Sequence, residues 1–182
     1  MARELEVKYE LKDRQRYVEQ LRRLGIILSD PMEQHDTIFF RRGKEFTDLP
    51  DGEPVIRIRK VENSTKVTIK KYISGIQDRE EVEFDISDVA AFRNFLNMMD
   101  CIPLVSVCKT RIKGCYKGAV ITVDNVEGLG DYTEIEVVSS VNEIKANLKK
   151  INVIIEELGL QDTELVNLPY DEMLFMKGKR ND

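Results

Sequence analysis

Pairs of like charge two residues apart recur along this sequence: Glu4 and Glu6, Arg57 and Arg59, Glu81 and Glu83, Lys109 and Arg111, Glu134 and Glu136. A spacing of two puts both members on one face of an extended strand. Lys8, Lys66, Lys70, Arg79 and Asp124 fall on the same faces, for eight cations and seven carboxylates in all. Like charges along one strand repel, so a ligand of opposite charge is what would offset them. Arginine pairs grip phosphate oxygens bidentately, lysines act as point charges, and carboxylates bring in a divalent metal. That chemistry suits a metal-complexed triphosphate.

Strands must carry these residues. Alternation of charged and apolar residues predicts them at Glu4 to Leu11, Gln34 to Phe40, Val55 to Lys60, Lys66 to Tyr72, Asp78 to Ile86, Leu104 to Lys113, Ala119 to Val126 and Thr133 to Ser139. Their reverse faces hold Leu5, Val7, Ile56, Ile58, Val67, Ile69, Val82, Phe84, Ile121, Val123, Ile135 and Val137. Three amphipathic helices are expected to cover them. The first is capped by Asp13, carries Tyr17, Val18, Leu21 and Leu24, and stops at Gly25. The second, capped by Ser87 or Asp88, has the stripe Val89, Phe92, Phe95, Leu96 and Met99. The third opens on a Ser140 and Glu143 capping box and runs through Ile144, Leu148, Ile151, Ile155 and Leu158 to Gly159. Arg41 to Pro54 reads as a long loop.

Two arrangements fit the charged faces. Strand by strand, they suit the solvated outside of an antiparallel sheet, where opposite charges on neighbouring strands pair. Taken together they are short of the Thr, Ser, Gln and Asn that a solvated face normally mixes in. If the sheet instead curls into a barrel, cations and carboxylates converge on a lumen, the cations toward a polyanion and the carboxylates toward a metal. With 182 residues and 42 % hydrophobic content, the expectation is one α+β domain spanning 1–182. The net charge of −5 argues against a protein that coats nucleic acid or a membrane. Cys101, Cys108 and Cys115 form no CxxC pair and are odd in number, which suggests neither a disulfide framework nor a zinc site. With no apolar run of signal-peptide or membrane-spanning type, a cytoplasmic location is expected. None of the cysteines has a neighbouring His in the sequence, and His35, the single histidine, is read as a strand residue.

The order of these blocks resembles the CYTH superfamily, the triphosphate tunnel metalloenzymes. Glu4-Leu5-Glu6-Val7-Lys8 resembles its ExExK strand, Arg57-Ile58-Arg59 its RxR, Thr68-Ile69-Lys70 its TxK, and Arg79-Glu80-Glu81-Val82-Glu83 its RxExE. Lys109-Thr110-Arg111 resembles KxR, and Asp124 through Glu136 the DxVxGLGxxxEIE segment. The resemblance implies a closed, antiparallel eight-stranded β-barrel with helices packed outside, acting on triphosphates with Mg²⁺ or Mn²⁺. It also implies that Glu4, Glu6 and Glu136 lead the metal ligands, with Glu134 and Asp124 near them. Lys8, Arg57, Arg59, Lys66, Lys70, Arg79, Lys109 and Arg111 would hold phosphates, with Lys8, Lys109 and Arg111 closest to the chemistry. The segment Gln34-His35-Asp36-Thr37-Ile38-Phe39-Phe40 resembles the class IV adenylyl cyclase branch, with Ile38 in place of a tyrosine. That branch implies conversion of ATP to cyclic AMP and pyrophosphate by a homodimer. Lys71-Tyr72 replaces a common Gly-Pro, and hydrolysis of thiamine, inorganic or nucleoside triphosphate is the alternative. A binding module without chemistry ranks last. Tyr170 resembles the family's C-terminal SYxxL block, which would close one tunnel mouth; packing on a last helical turn fits it equally.

Overall fold

The computed structural model describes residues 2–72, 79–140 and 143–179, with the side chains at 2–4, 50, 51, 72 and 79 outside the description. The expected strand start at Asp78 lies outside the described residues.

The elements run β1 (Ala2–Glu10), α1 (Arg14–Arg23), β2 (Met32–Arg41), a short 3-10 helix (Phe46–Asp51), β3 (Val55–Val61), β4 (Ser64–Tyr72) and β5 (Arg79–Asp85). Then come α2 (Val89–Met98), β6 (Cys101–Tyr116), β7 (Ala119–Val126), β8 (Gly130–Ser140), α3 (Ile144–Glu157) and α4 (Tyr170–Lys179). The strands form one eight-stranded antiparallel sheet in the order β1-β8-β7-β6-β2-β3-β4-β5. No ladder joins β1 to β5 among the described residues, so the sheet is not closed by hydrogen bonds and the expected closed barrel is not found. No described helix is long and apolar enough to cross a membrane.

Local chemistry explains the helix ends. Asp13 accepts from the Arg16 N–H at 2.9 Å and Asp88 from Ala91 at 2.8 Å, each filling an orphan donor of a first turn. Gly25 then takes a left-handed φ of 78° that ends the first helix. The capping box expected of Ser140 works differently. Its hydroxyl does meet the Glu143 carboxylate, yet Ser140 is the last residue of β8 and the helix opens at Ile144.

The chain divides into two compact units, Met1–Met32 with Lys109–Leu168, and Glu33–Cys108 with Pro169–Asp182. In the first, α1 and α3 pack Leu21, Ile151, Ile154 and Leu158 against Ile121, Val123, Ile135 and Val137. These are the strand faces whose alternation is apolar. In the second, Phe39, Ile56, Ile58 and Val67 pack on Leu96 of α2. Phe92 is partly buried against the same cluster, while Phe95, 52 % exposed, and Met99, 58 %, depart from the expected stripe. A second cluster there joins Ile38, Phe40, Phe46 and Val55 to Phe175 of α4, whose ring lies 5.3 Å from Phe46.

Candidate functional site

Register builds the charged face of the first unit. On β1 and β8, Glu6 stands opposite Glu136 and Lys8 opposite Glu134. On β8 and β7, Glu134 stands opposite Thr122, and on β7 and β6, Asp124 stands opposite Arg111. The contacts follow from those pairings. Arg111 donates to both oxygens of Asp124, Nε to Oδ1 at 2.6 Å and Nη2 to Oδ2 at 2.5 Å, and Nη2 also donates to Glu134 at 2.5 Å. Lys109 donates to Asp124 at 3.1 Å. Lys8 donates to the Leu168 carbonyl at 3.0 Å and lies 3.5 Å from Glu134.

Electrostatics separates two carboxyls on this face. Burial alone would raise Asp124, but the hydrogen bond from Arg111 and the charges of Lys109 and Arg111 hold it below the usual range. Glu6 goes the other way. It touches solvent, yet the protein around it displaces enough water to raise its carboxyl, and the charges of Glu134 and Glu136 raise it further against Lys8 and Arg111. A face that disfavours a third negative charge beside two others is chemically suited to a cation. Among the described side chains, no set of three His, Cys, Asp or Glu is arranged to hold a metal by itself. The Glu4 side chain, on the same β1 face, lies outside the described residues.

The second unit repeats the plan of cations facing carboxylates across neighbouring strands. Asp36 accepts bidentately from Arg59, at 2.7 and 2.6 Å. Lys66 reaches Glu83 at 3.0 Å and Lys70 reaches Glu81 at 3.0 Å. Arg57 donates one Nη to the Thr68 hydroxyl at 3.1 Å, and that hydroxyl donates to Glu83 at 3.2 Å. Among the described residues, the buried Nε of Arg57 has no hydrogen-bond partner. Burial and then Arg59 lower the Arg57 guanidinium from its ordinary value, against Asp36, Glu81 and Asp171. An arginine with an unmet buried donor is ready for an anion. The Arg79 side chain lies outside the described residues.

Burial differs along these charged faces: Lys66 on β4 and Glu81 and Glu83 on β5 are exposed, as on a solvated sheet, whereas other charges are deeply buried. Asp124 is 0 % exposed, Asp36 and Lys8 6 %, Lys109 7 % and Glu134 8 %. A solvated outer face does not bury charges so deeply. Asp36 and Thr68 join the candidate set here; both stand in the family-like blocks of the sequence, but neither is in a like-charge pair, and only their strand partners Arg59 and Arg57 show what they contact.

Comparison with known proteins now bears on this face. A CYTH domain model matches residues 2–170. The chain belongs to the CYTH family. This CYTH protein is 28 % identical over 175 residues to a Methanocaldococcus jannaschii protein provisionally named an adenylate cyclase, covering 93 % of this chain and 97 % of that one. A solved Pyrococcus horikoshii protein matches at 29 % identity with a TM-score of 0.78, over 96 % of this chain and 99 % of the other. A Hippeastrum protein, 16 % identical and with a TM-score of 0.67, shares the fold over 98 % of this chain and 96 % of its own. It is provisionally called an adenylyl cyclase and described as having a dominant triphosphatase activity.

Proposed function

We propose that this CYTH protein is a metal-dependent enzyme acting on a triphosphate, and that its reaction is the class IV type, ATP to cyclic AMP and pyrophosphate. The observation that carries this reading is the burial of the cations Lys8 and Lys109 beside the carboxylates Asp124 and Glu134 on one strand face. Lys8, Lys109 and Arg111 supply cationic donors in one unit, and Arg57, Arg59, Lys66 and Lys70, with Arg79, supply them in the other. Glu6, Glu134 and Glu136, with Glu4, are the residues that would hold Mg²⁺ or Mn²⁺, while Asp124, expected near them, is taken up by Arg111 and Lys109. The donor chemistry fits, because Glu6, raised first by burial, is raised further by the neighbouring carboxylates Glu134 and Glu136. A bound divalent ion would neutralise phosphoryl charge and polarise the oxygens it meets.

The residues' own work is positioning and charge. Arginine forks orient phosphate oxygens so that a ribose 3′-hydroxyl lies in line with the α-phosphorus. Lys109 and Arg111 meet the negative charge that grows on the departing pyrophosphate. Their clamp on Asp124 holds them in place before substrate arrives, so little reorganisation is left for the reaction. Hydrolysis of a triphosphate is the second reading. It uses the same groups, and the Hippeastrum fold neighbour is described as having it.

Incubation with ATP, thiamine triphosphate and inorganic triphosphate in Mg²⁺ or Mn²⁺ separates the readings. Cyclic AMP with equal pyrophosphate is expected. Orthophosphate without cyclic AMP assigns the triphosphatase, and metal-dependent binding without turnover reduces the protein to a binding module.

A further inference from the structure

His35 and Cys108 are far apart in sequence, yet His35 Nδ1 lies 3.3 Å from Cys108 Sγ. Both belong to the second unit, on β2 and β6. They lie on the reverse of the charged face, since His35 adjoins Asp36 on an extended strand and successive side chains point oppositely. Nothing in the proposed triphosphate chemistry uses them.

Charged side chains share their face of the sheet, Glu33 two residues before His35 and two cations from neighbouring elements. Lys60 of β3 stands opposite His35 in register, where Cβ atoms lie about 5 Å apart, and is itself exposed. From α2, Arg93 donates to the hydroxyl of Thr37, the next residue of β2 on that face. The ring is exposed and the thiol half-buried, so a small reagent has access. Cys101 lacks this setting, because burial raises its thiol. Cys115 is the most exposed of the three, so access alone would make it react first.

We propose that Cys108 is a modification site for peroxides, activated by His35. The imidazole takes the thiol proton, and the thiolate sulfur attacks one peroxide oxygen. An S–O bond forms, the O–O bond breaks, and the leaving hydroxide recovers the proton from the imidazolium as water. Sulfur is oxidised to the sulfenic acid while the peroxide is reduced to water.

The test treats the full chain with hydrogen peroxide, traps sulfenic acid with dimedone, and quantifies each cysteine by mass spectrometry. Cys108 is expected to react roughly tenfold faster than Cys115, as a thiolate does beside a thiol. His35→Gln, which keeps a polar side chain on an exposed strand position, should slow Cys108 about tenfold and leave Cys115 unchanged. Reaction led by Cys115, or a Cys108 rate indifferent to His35→Gln, overturns the proposal. The wild-type ranking alone decides the first of these even if the variant folds poorly.

Discussion

Asp124 shows how a single carboxylate is committed. Both its oxygens accept from Arg111, Lys109 adds a third donor, and none of it reaches solvent. Asp124→Ala removes the buried counter-charge that Lys109 and Arg111 share, which should cost about 3–5 kcal/mol in urea unfolding at neutral pH. Because its folded pKa is depressed, this contribution is present above the unfolded carboxyl value of about 3.9 and is lost as pH falls through the lower folded value. The gap between variant and wild type should therefore narrow only in acid. Glu6 carries the opposite sign. With its carboxyl raised, ionisation costs the folded state stability that full protonation would restore. Glu6→Gln should melt higher than wild type at pH 7, with the difference vanishing below about pH 4. The same variant should lose metal-dependent turnover, and an active Glu6→Gln would remove Glu6 from the metal set.

At the scale of elements, β6 gives the sharpest constraint. It runs 16 residues without a break, from Cys101 to Tyr116, longer than the Leu104 to Lys113 that alternation marks out. Near its end Gly114 passes under the chain that follows α1, with a bridge to Leu28. A Cβ at Gly114 would lie 2.7 Å from both Ile26 Cγ2 and the Ile27 carbonyl oxygen. Backbone on one side leaves little room to yield, so Gly114→Ala should cost about 1–3 kcal/mol by overpacking, measured as a lowered denaturant midpoint. The α2 stripe shows a limit of periodicity. Its spacing marks one apolar face, but Leu96 and, in part, Phe92 pack on the sheet, and Phe95 and Met99 are left at the surface.

For the molecule as a whole, the test is linkage. A protein of net charge −5 that nevertheless buries cations should be stabilised by a polyanion delivered with its counter-ion. At a hundredfold excess over Kd, inorganic triphosphate with Mg²⁺ should add about 2.7 kcal/mol. At roughly 2–4 °C per kcal/mol for a chain of this size, Tm should rise by about 5–10 °C. No shift with either Mg²⁺ or Mn²⁺ would count against triphosphate binding.

Sequence by itself determined the strands, their two faces and the caps at Asp13 and Asp88. Each depends only on residues a few positions apart, and a period of two is visible along the chain. The CYTH blocks were legible for the same reason, since each is a local run on one strand. Tertiary structure decided what those faces do. Register alone sets Arg111 on Asp124 and Arg59 on Asp36, and it buries charges that alternation allows equally to be solvated. It also left the sheet unclosed by hydrogen bonds among the described residues and brought His35 to Cys108. These are pairings between strands distant in sequence, and their energies depend on which neighbours the sheet supplies, which no single strand's pattern encodes.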